Sequence, residues 1–526
     1  MWLVLVSTVV IGFIAYKLFF RNSKNIFKEH GIREIDTSKF MSILDILLAR
    51  KGMPEVDNYV YKAMGSEKYC GIHELGTPVI LIKDMELIKK ILIKDFDHFV
   101  DRRKFFAEAD EVLQKSLPML EGEEWKGVRA SVSPTFTTGK IRRMMEFFNS
   151  VGKEWVESLS EKAKANPSPD GSVTIDVIKV INQYTVDVIA SAVFGFNAGT
   201  IKNPDSPFAK YAESLADFSK LKLVKMAIIF GLPKLNKILK LKMMDPEAIG
   251  FFERILDQGL KKRLSGETTK CNDFLQLLVE AHNGKLKGEG NDELGSFEKD
   301  AHIELKGGEK KKQWLTEQTM NSQSLIFFFA GFGTTSNALT FAAYALAVHQ
   351  DVQDKLRKEV GKIMKPDGNL DYDDLSTLVY LNMVVCEVLR RFPAGARLER
   401  SCVKDYKDND SGLFVPKGTV VFVPSNALHY DEQYYDNPDK FDPEHFSPEK
   451  KAQRNPYAYM PFGIGPRNCI GMRFALVETK AAIAHLVHNF RIQTTKKTPV
   501  PITGLWAGFG YTAPKGLELK LTPLNK

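Results

Sequence analysis

The chain is poor in cysteine. It has five in 526 residues (Cys70, Cys271, Cys386, Cys402 and Cys469), too few and too scattered for a disulfide framework. No two form a Cys-x-x-Cys pair, which argues against a structural zinc site. The folded part therefore suits a reducing compartment. The 37 glycines and 24 prolines show no collagen-like or linker-like period, and there is no internal repeat. Neither sign of charge dominates: 73 Lys+Arg against 65 Asp+Glu leave +8. That surplus is mild for the length. It offers no nucleic-acid stripe, but suits an anionic membrane surface or an acidic protein partner. A hydrophobic share of 44% with 26% charged residues excludes a disordered chain.

A long hydrophobic run opens the chain. Residues 2–20, WLVLVSTVVIGFIAYKLFF, carry one charge, Lys17, near the end, where its stem can snorkel. No basic residue precedes the run and no small-x-small cleavage site follows it, so an uncleaved anchor is expected over 1–20 rather than a signal peptide. Arg21, Lys24 and Lys28 come next and, by the positive-inside rule, keep the following domain cytosolic. A linker over 21–40 and a catalytic domain over 41–526 complete the expected division.

Residues 60–100 alternate in strand fashion, whereas 103–390 are mostly helical in period. The stretch 205–245 is amphipathic and lysine-rich, and reads equally as a core helix pair or a membrane-touching surface. Residues 281–313 read as a long charged surface loop, and short strands return after 400. The fold class is α+β, mainly α: a large helical part and a small strand-rich part behind an N-terminal membrane anchor. Residues 318–348 contain no charge, yet their middle reads GFGTTSN. That polar notch points to a helix buried in protein, with a functional surface halfway along.

The strongest signal is PFGIGPRNCIGMRFALVETKAAIAHL, residues 461–486. Glycines surround Cys469, and a helical pattern starts directly after it. A thiolate before a helix N-terminus is stabilised by free N–H groups and the positive end of the dipole, which is expected to lower its pKa. Arg467 adds a cation suited to a carboxylate. The other four cysteines read as small buried hydrophobes. Cys469 reads as a metal or haem ligand.

On these residues the chain resembles the cytochrome P-450 superfamily. FGIGPRNCIG, residues 462–471, matches Phe-x-x-Gly-x-Arg-x-Cys-x-Gly at every fixed position. The resemblance implies haem b with Cys469 as its axial thiolate, Phe462 and Arg467 beside it, and O2 as cosubstrate. Trp125 and Arg129 match Trp-x-x-x-Arg and are implied to hold a haem propionate, with Arg400 a further partner. Glu387 and Arg390 match Glu-x-x-Arg, but PEHF (443–446) puts His445 where the family has arginine. In AGFGTT (330–335), Ala330 and Gly331 are implied to lie against the haem, and Thr334 to order the water that protonates bound oxygen. The usual acid is replaced by Gly333, which implies slower or less coupled turnover. The proline-rich hinge is also missing: KEHGIREIDTSKF (28–40) has no proline.

Segments such as KDFDHFVDRRKF (94–105) look most like insect detoxification families six and nine, and less like mammalian family three. The implied activity is oxygen insertion into lipophilic compounds: xenobiotics, insecticides, plant toxins or endogenous lipids. Its electrons come from NADPH through a flavoprotein reductase, with cytochrome b5 a further partner, at the cytosolic face of the endoplasmic reticulum. Lys126, Arg473 and Lys480 are candidates for the reductase-docking face, and read equally as solvated helix faces. Substrate contacts are expected from 102–122, 205–245, 502–510 and Phe327, Phe328 and Phe332. Two alternatives remain open: a peroxide-rearranging isomerase or dehydratase on the same fold, and a non-enzymatic membrane haem sensor.

Overall fold

The computed structural model describes residues 26–524 except 38–39, 41–51, 75–76, 104–110, 166–167, 169, most of 217–243, 268–271, 287–312, 503–504 and 508–509. The expected anchor at 1–20, Cys271 and most of the charged 281–313 loop lie outside the described residues.

The helical part is built around one long helix. Helices α1 (Met53–Ala63), α2 (Gly122–Val132), α3 (Met145–Ala165), α4 (Val177–Phe194), α5 (Pro207–Ala216), α6 (Pro246–Leu264) and α7 (Phe274–His282) precede it. The long helix is α8 (Glu317–Val348), followed by α9 (Gln350–Val360), α10 (Val379–Arg391) and α11 (Met472–Asn489). At 32 residues α8 is about 48 Å long. Thr316 caps its start by accepting the N–H of Thr319, and Asp176 caps α4 through the N–H groups of Ile178 and Lys179. Both α4 and α8 are long and apolar enough to cross a membrane. They instead pack on each other, and α8 also packs on α11. The apolar run at 318–348 is thus the core of the fold, as its polar notch suggested.

Gly331 sets the closeness of that packing. A Cβ there would stand 2.5 Å from Ile189 Cδ1 of α4. The missing side chain serves a helix–helix contact, which differs from the expectation that it clears room for a cofactor.

The strands form two main sheets. In the first, β1 (Tyr69–Glu74) and β2 (Thr77–Ile82) are antiparallel, and β2 pairs in parallel with β7 (Val420–Val423). The fourth strand, β4 (Leu398–Ser401), runs antiparallel to β7 and sets Arg400 opposite Val421. In the second, β11 (Glu518–Pro523) lies between β3 (Val173–Asp176) and β8 (Phe490–Thr494). Two small pairs, β5 (Tyr406–Lys407) with β6 (Phe414–Val415) and β9 (Leu505–Ala507) with β10 (Gly510–Thr512), complete the strand part. The architecture is α+β and mainly α, as expected.

One sequence expectation is corrected. Strands occupy only 69–74 and 77–82 of the 60–100 stretch, and helical turns run over 85–98. Asp84 starts them by accepting the N–H of Leu87. Leu87, Ile88, Ile91 and Leu92 then bury one helical face, a spacing of three and four that local alternation masks.

Candidate functional site

The cysteine loop is folded by its own backbone. Cys469 N–H donates to Phe462 O at 2.8 Å, and Asn468 N–H to Gly465 O at 3.0 Å. Gly465 has φ +73°, and a Cβ there would run into the carbonyl oxygen of Leu92. Only glycine satisfies both conditions. The loop therefore lies flush on the 85–98 helical turns, and Cys469 stands three residues before the start of α11.

Cys469 lies deep in the protein, yet its side chain has accessible surface. In the middle of α8, Ala330 and Thr334, one turn apart, are also accessible, while their neighbours Phe328, Phe332, Thr335 and Ser336 are buried. Thr334 Oγ1 donates to Ala330 O at 2.6 Å. The thiol's pKa runs against the sequence expectation. Burial raises it, and the Gly471 N–H, Arg129 and Arg102 pull it down by less. The helix end alone does not make a thiolate here; a bound metal does that outright.

Four arginines lie in or beside the cysteine loop. Arg129, on the same face of α2 as Trp125, donates through Nη2 to Asn468 Oδ1 (2.8 Å) and through Nη1 to Asn468 O (3.1 Å). Arg102 donates to Arg467 O at 2.8 Å. Arg400 is 1% exposed; its Nη1 donates to Glu399 O, while its Nε has no partner among the described residues. Arg467 is spent on the scaffold: Nε donates to Val100 O (2.8 Å), Nη2 to Leu120 O (2.6 Å), and its Cζ sits 4.2 Å from the Trp125 ring centre. Burial, joined by mutual repulsion, brings Arg129 down to about 10 and Arg400 to about 9, and holds Arg467 well below the usual range. The nearest carboxylates are Asp101, 3.7 Å from Arg467, and Glu399, which already pairs with Arg397 and Arg103.

A positive surplus buried around a thiol calls for a dianionic ligand with a metal at its centre. The orphaned Arg400 Nε, the accessible Cys469 thiol and the small, accessible Ala330 in the middle of α8 fit an iron porphyrin with two carboxylates. Arg102 was not singled out by sequence reasoning, which placed 102–122 among the expected substrate contacts; two adjacent arginines in DRRK (101–104) were the signal available.

The structural pair is met in full. Glu387 and Arg390, both fully buried, join through two hydrogen bonds of 2.7 Å. Glu387 Oε1 also accepts Asp442 N–H at 2.9 Å. His445 takes the third place, with Nδ1 3.2 Å from Glu387 Oε1 and Nε2 2.6 Å from Asp436 O. Both neighbours are acceptors, so the ring is held by donating.

Other expected residues are placed differently. Phe328 and Phe332 are buried in a stack of rings with Phe194, Phe208 and Phe252, while Phe327 packs edge-on against Phe136 and Phe274. They build the wall instead of standing free in it. Lys126 pairs with Glu123 and Asp97 and Arg473 reaches Phe136 O, so both are engaged by their own chain, while burial lowers the pKa of Lys480. Cys70 and Cys402 are buried and Cys386 half-buried.

The cytochrome P-450 family model matches residues 39–521. Cytochrome P-450 9e2 of Blattella germanica is 34% identical over 99% of this chain and 97% of its own length. Cytochrome P-450 3A9 of Rattus norvegicus is 36% identical over 95% and 92%. Probable cytochrome P-450 9f2 of Drosophila melanogaster is 33% identical over 97% and 98%. The mammalian family-three protein thus matches as well as the insect family-nine ones, not at the greater distance expected.

Proposed function

The chain belongs to the cytochrome P-450 family and is a monooxygenase of that kind, and from that premise we propose that it oxidises bulky lipophilic compounds with electrons passed from NADPH by a membrane-bound flavoprotein reductase. The substrate class is xenobiotic, with insecticides, plant toxins and endogenous lipids as its candidates. The enzyme works on the cytosolic face of the endoplasmic reticulum, with cytochrome b5 a second electron donor.

One observation carries the reading. The accessible Cys469 thiol sits beside the buried, uncompensated Arg102 and Arg129, with Arg400 next to Arg102. Haem, when bound there, supplies oxygen activation. The chain supplies the rest. Cys469, held in place by its N–H bond to Phe462 O, would bind the iron through its thiolate. Arg400 Nε, with Arg102 and Arg129, would meet the carboxylates, while Arg467 and Trp125 hold the loop that carries the cysteine. Phe462 flanks the ligand. Thr334 has a hydroxyl able to hold a proton at the notch, its own donor now resting on Ala330 O. The ring stack around Phe328 keeps water out and gives an apolar wall to lipophilic ligands.

The test is to supply purified enzyme with NADPH and reductase, or with an organic hydroperoxide alone, and to follow product. Product that needs NADPH and reductase supports the reading. Rearranged peroxide with no such need transfers the protein to the isomerase class, toward which Gly333 leans and against which Thr334 stands. A screen of plant toxins, insecticides, fatty acids and steroids, read by the spin-state change of the iron, identifies the ligand; silence throughout would favour a sensor.

A further inference from the structure

A buried histidine that the site just described does not use joins the Glu387–Arg390 pair to the cysteine loop. His429 ends the short helix Ser425–His429 and is fully buried. Its carbonyl oxygen accepts Arg390 Nη1 at 2.8 Å. Its ring Nε2 stands 3.2 Å from Met460 N. A backbone N–H only donates, so Nε2 accepts, and the ring is neutral with its proton on Nδ1. Met460 opens the way into the cysteine loop. Its carbonyl accepts Gly463 N–H at 3.0 Å, and Phe462, within that turn, accepts Cys469 N–H at 2.8 Å. Hydrogen bonds thus lead from the imidazole, through Met460 and its turn, to the residue that carries the thiol.

The surroundings hold the ring in that form. Burial lowers its pKa to about 3, the charges of Arg390 and Arg454 add to this, and the Arg390 backbone offsets part of it. No carboxylate among the described residues acts on the ring. Three elements pack on its short helix: α10, α1 and the helical turn Pro456–Ala458. On α10, Glu387 is taken by Arg390, and Arg391 donates to Pro438 O. On α1, Asp57 pairs with Arg397, and the Tyr61 hydroxyl donates to Asp431. Just after the turn, the Tyr459 ring centre lies 5.4 Å from that of the imidazole, and its hydroxyl donates to Cys386 O. None of these groups offers a protonated ring a negative partner.

We propose that His429 is a positioning residue for the Cys469 ligand, and that protonation of its ring is the event by which acid releases the cysteine loop. The inference rests on the reading of Cys469 as the iron ligand. The step begins with proton uptake. Nε2 takes a proton from solvent, Met460 N–H loses its acceptor, and a cation is left buried beside Arg390 and Arg454. As the loop leaves its place, the sulfur keeps the electron pair of its bond to the metal and takes a second proton from solvent. The sign with pH follows. A free imidazole titrates near 6.5 and this folded one near 3, so the loop is held above 6.5. Each pH unit from there down to about 3 favours the released loop about ten-fold.

The experiment uses full-length, haem-loaded wild type, His429→Gln and His429→Phe. Glutamine places an oxygen near the Nε2 position and carries no charge; phenylalanine keeps a ring and offers no acceptor. Each protein is brought from about pH 7.5 in steps down to about pH 5, the reduced-carbonyl spectrum reads the thiolate, and an indicator dye counts the protons taken up. In wild type the ratio of released to held loop should climb about ten-fold per pH unit below 6.5. His429→Gln should keep the thiolate-type spectrum at neutral pH and, at about pH 5, release its loop about ten-fold less than wild type. His429→Phe should release it about ten-fold more than wild type already at about pH 7.5, for want of an acceptor. A histidine that only fills space would leave the glutamine variant as sensitive to acid as wild type. That result, or a phenylalanine variant equal to wild type at neutral pH, would overturn the proposal. If His429→Gln holds no haem, the proton count of wild type at about pH 5.5 decides. Two protons per released loop, one on sulfur and one on the ring, support the proposal, and a single proton overturns it. A wild type that lacks the thiolate-type spectrum at about pH 7.5 instead overturns the ligand reading, and this inference with it.

Discussion

Replacing Arg400 by methionine is expected to move the haem-free and haem-loaded proteins in opposite directions. The Arg400 guanidinium is 1% exposed, with Nε unpartnered among the described residues and one donor on Glu399 O. Burial first, and Arg102 second, lower it from 12.5 to about 9. At about 1.4 kcal/mol per tenfold, that drop sets a ceiling of about 5 kcal/mol on the cost of keeping the charge folded. Local relaxation brings it to about 1–3 kcal/mol, the usual cost of one buried unpaired polar group. Methionine fills a similar length of apolar space without that cost.

Haem-free Arg400→Met should therefore be more stable than wild type by about 1–3 kcal/mol. Haem-loaded, it loses a charge-assisted bond to a carboxylate, and haem should be held about ten- to a hundred-fold less tightly. The sign with pH follows from the same shift. A cation whose folded pKa is depressed costs stability wherever it is protonated in both states. The gain should be constant from pH 5 to 8 and shrink only as pH rises through about 9. Denaturant unfolding of both forms, with haem transfer to an acceptor protein, measures each quantity. A haem-free variant less stable than wild type, or equal losses in both forms, would mean that Arg400 is structural and that the surplus charge awaits no anion.

Other outcomes follow from other parts of the site. Cys469→His should abolish the thiolate-type spectrum of the reduced carbonyl complex, and an unchanged spectrum would remove the ligand assignment. Gly465→Ala combines a left-handed φ with a clash against Leu92 O and should cost at least about 2 kcal/mol, read as a lower melting temperature and poor haem retention. His445→Ala removes the ring from Asp436 O and leaves Glu387 Oε1 with only its Arg390 and Asp442 N–H donors, and should destabilise by about 1–3 kcal/mol in denaturant titration. Deleting residues 1–20 should shift the protein toward the soluble fraction of lysed cells while haem content stays near one per chain.

What could be read in advance was whatever the chain encodes at short range. The cysteine loop, the i,i+4 pair Trp125 and Arg129, and the i,i+3 pair Glu387 and Arg390 depend on neighbours a few residues apart, and the fold keeps those spacings. His445 was legible because it stands in a recognisable place and its two ring nitrogens have few alternatives. The 85–98 turns were less so: apolar residues at 87, 88, 91 and 92 serve a strand or a helix until the Asp84 cap decides.

Burial of charge was hardest to read, for a physical reason. DRRK at 101–104 and VETK at 477–480 look like solvated faces, because the residues that keep water from Arg102 and Glu478 come from segments hundreds of positions away. A local pattern carries no trace of that enclosure. The two cases are complementary: the arginines carry a surplus of positive charge that an anionic cofactor would neutralise, whereas burial among neutral groups holds the Glu478 carboxyl well above the usual carboxylate range. A sequence can announce which atom is offered to a metal, yet how charge is buried around it is set by the packing of segments far apart in the chain.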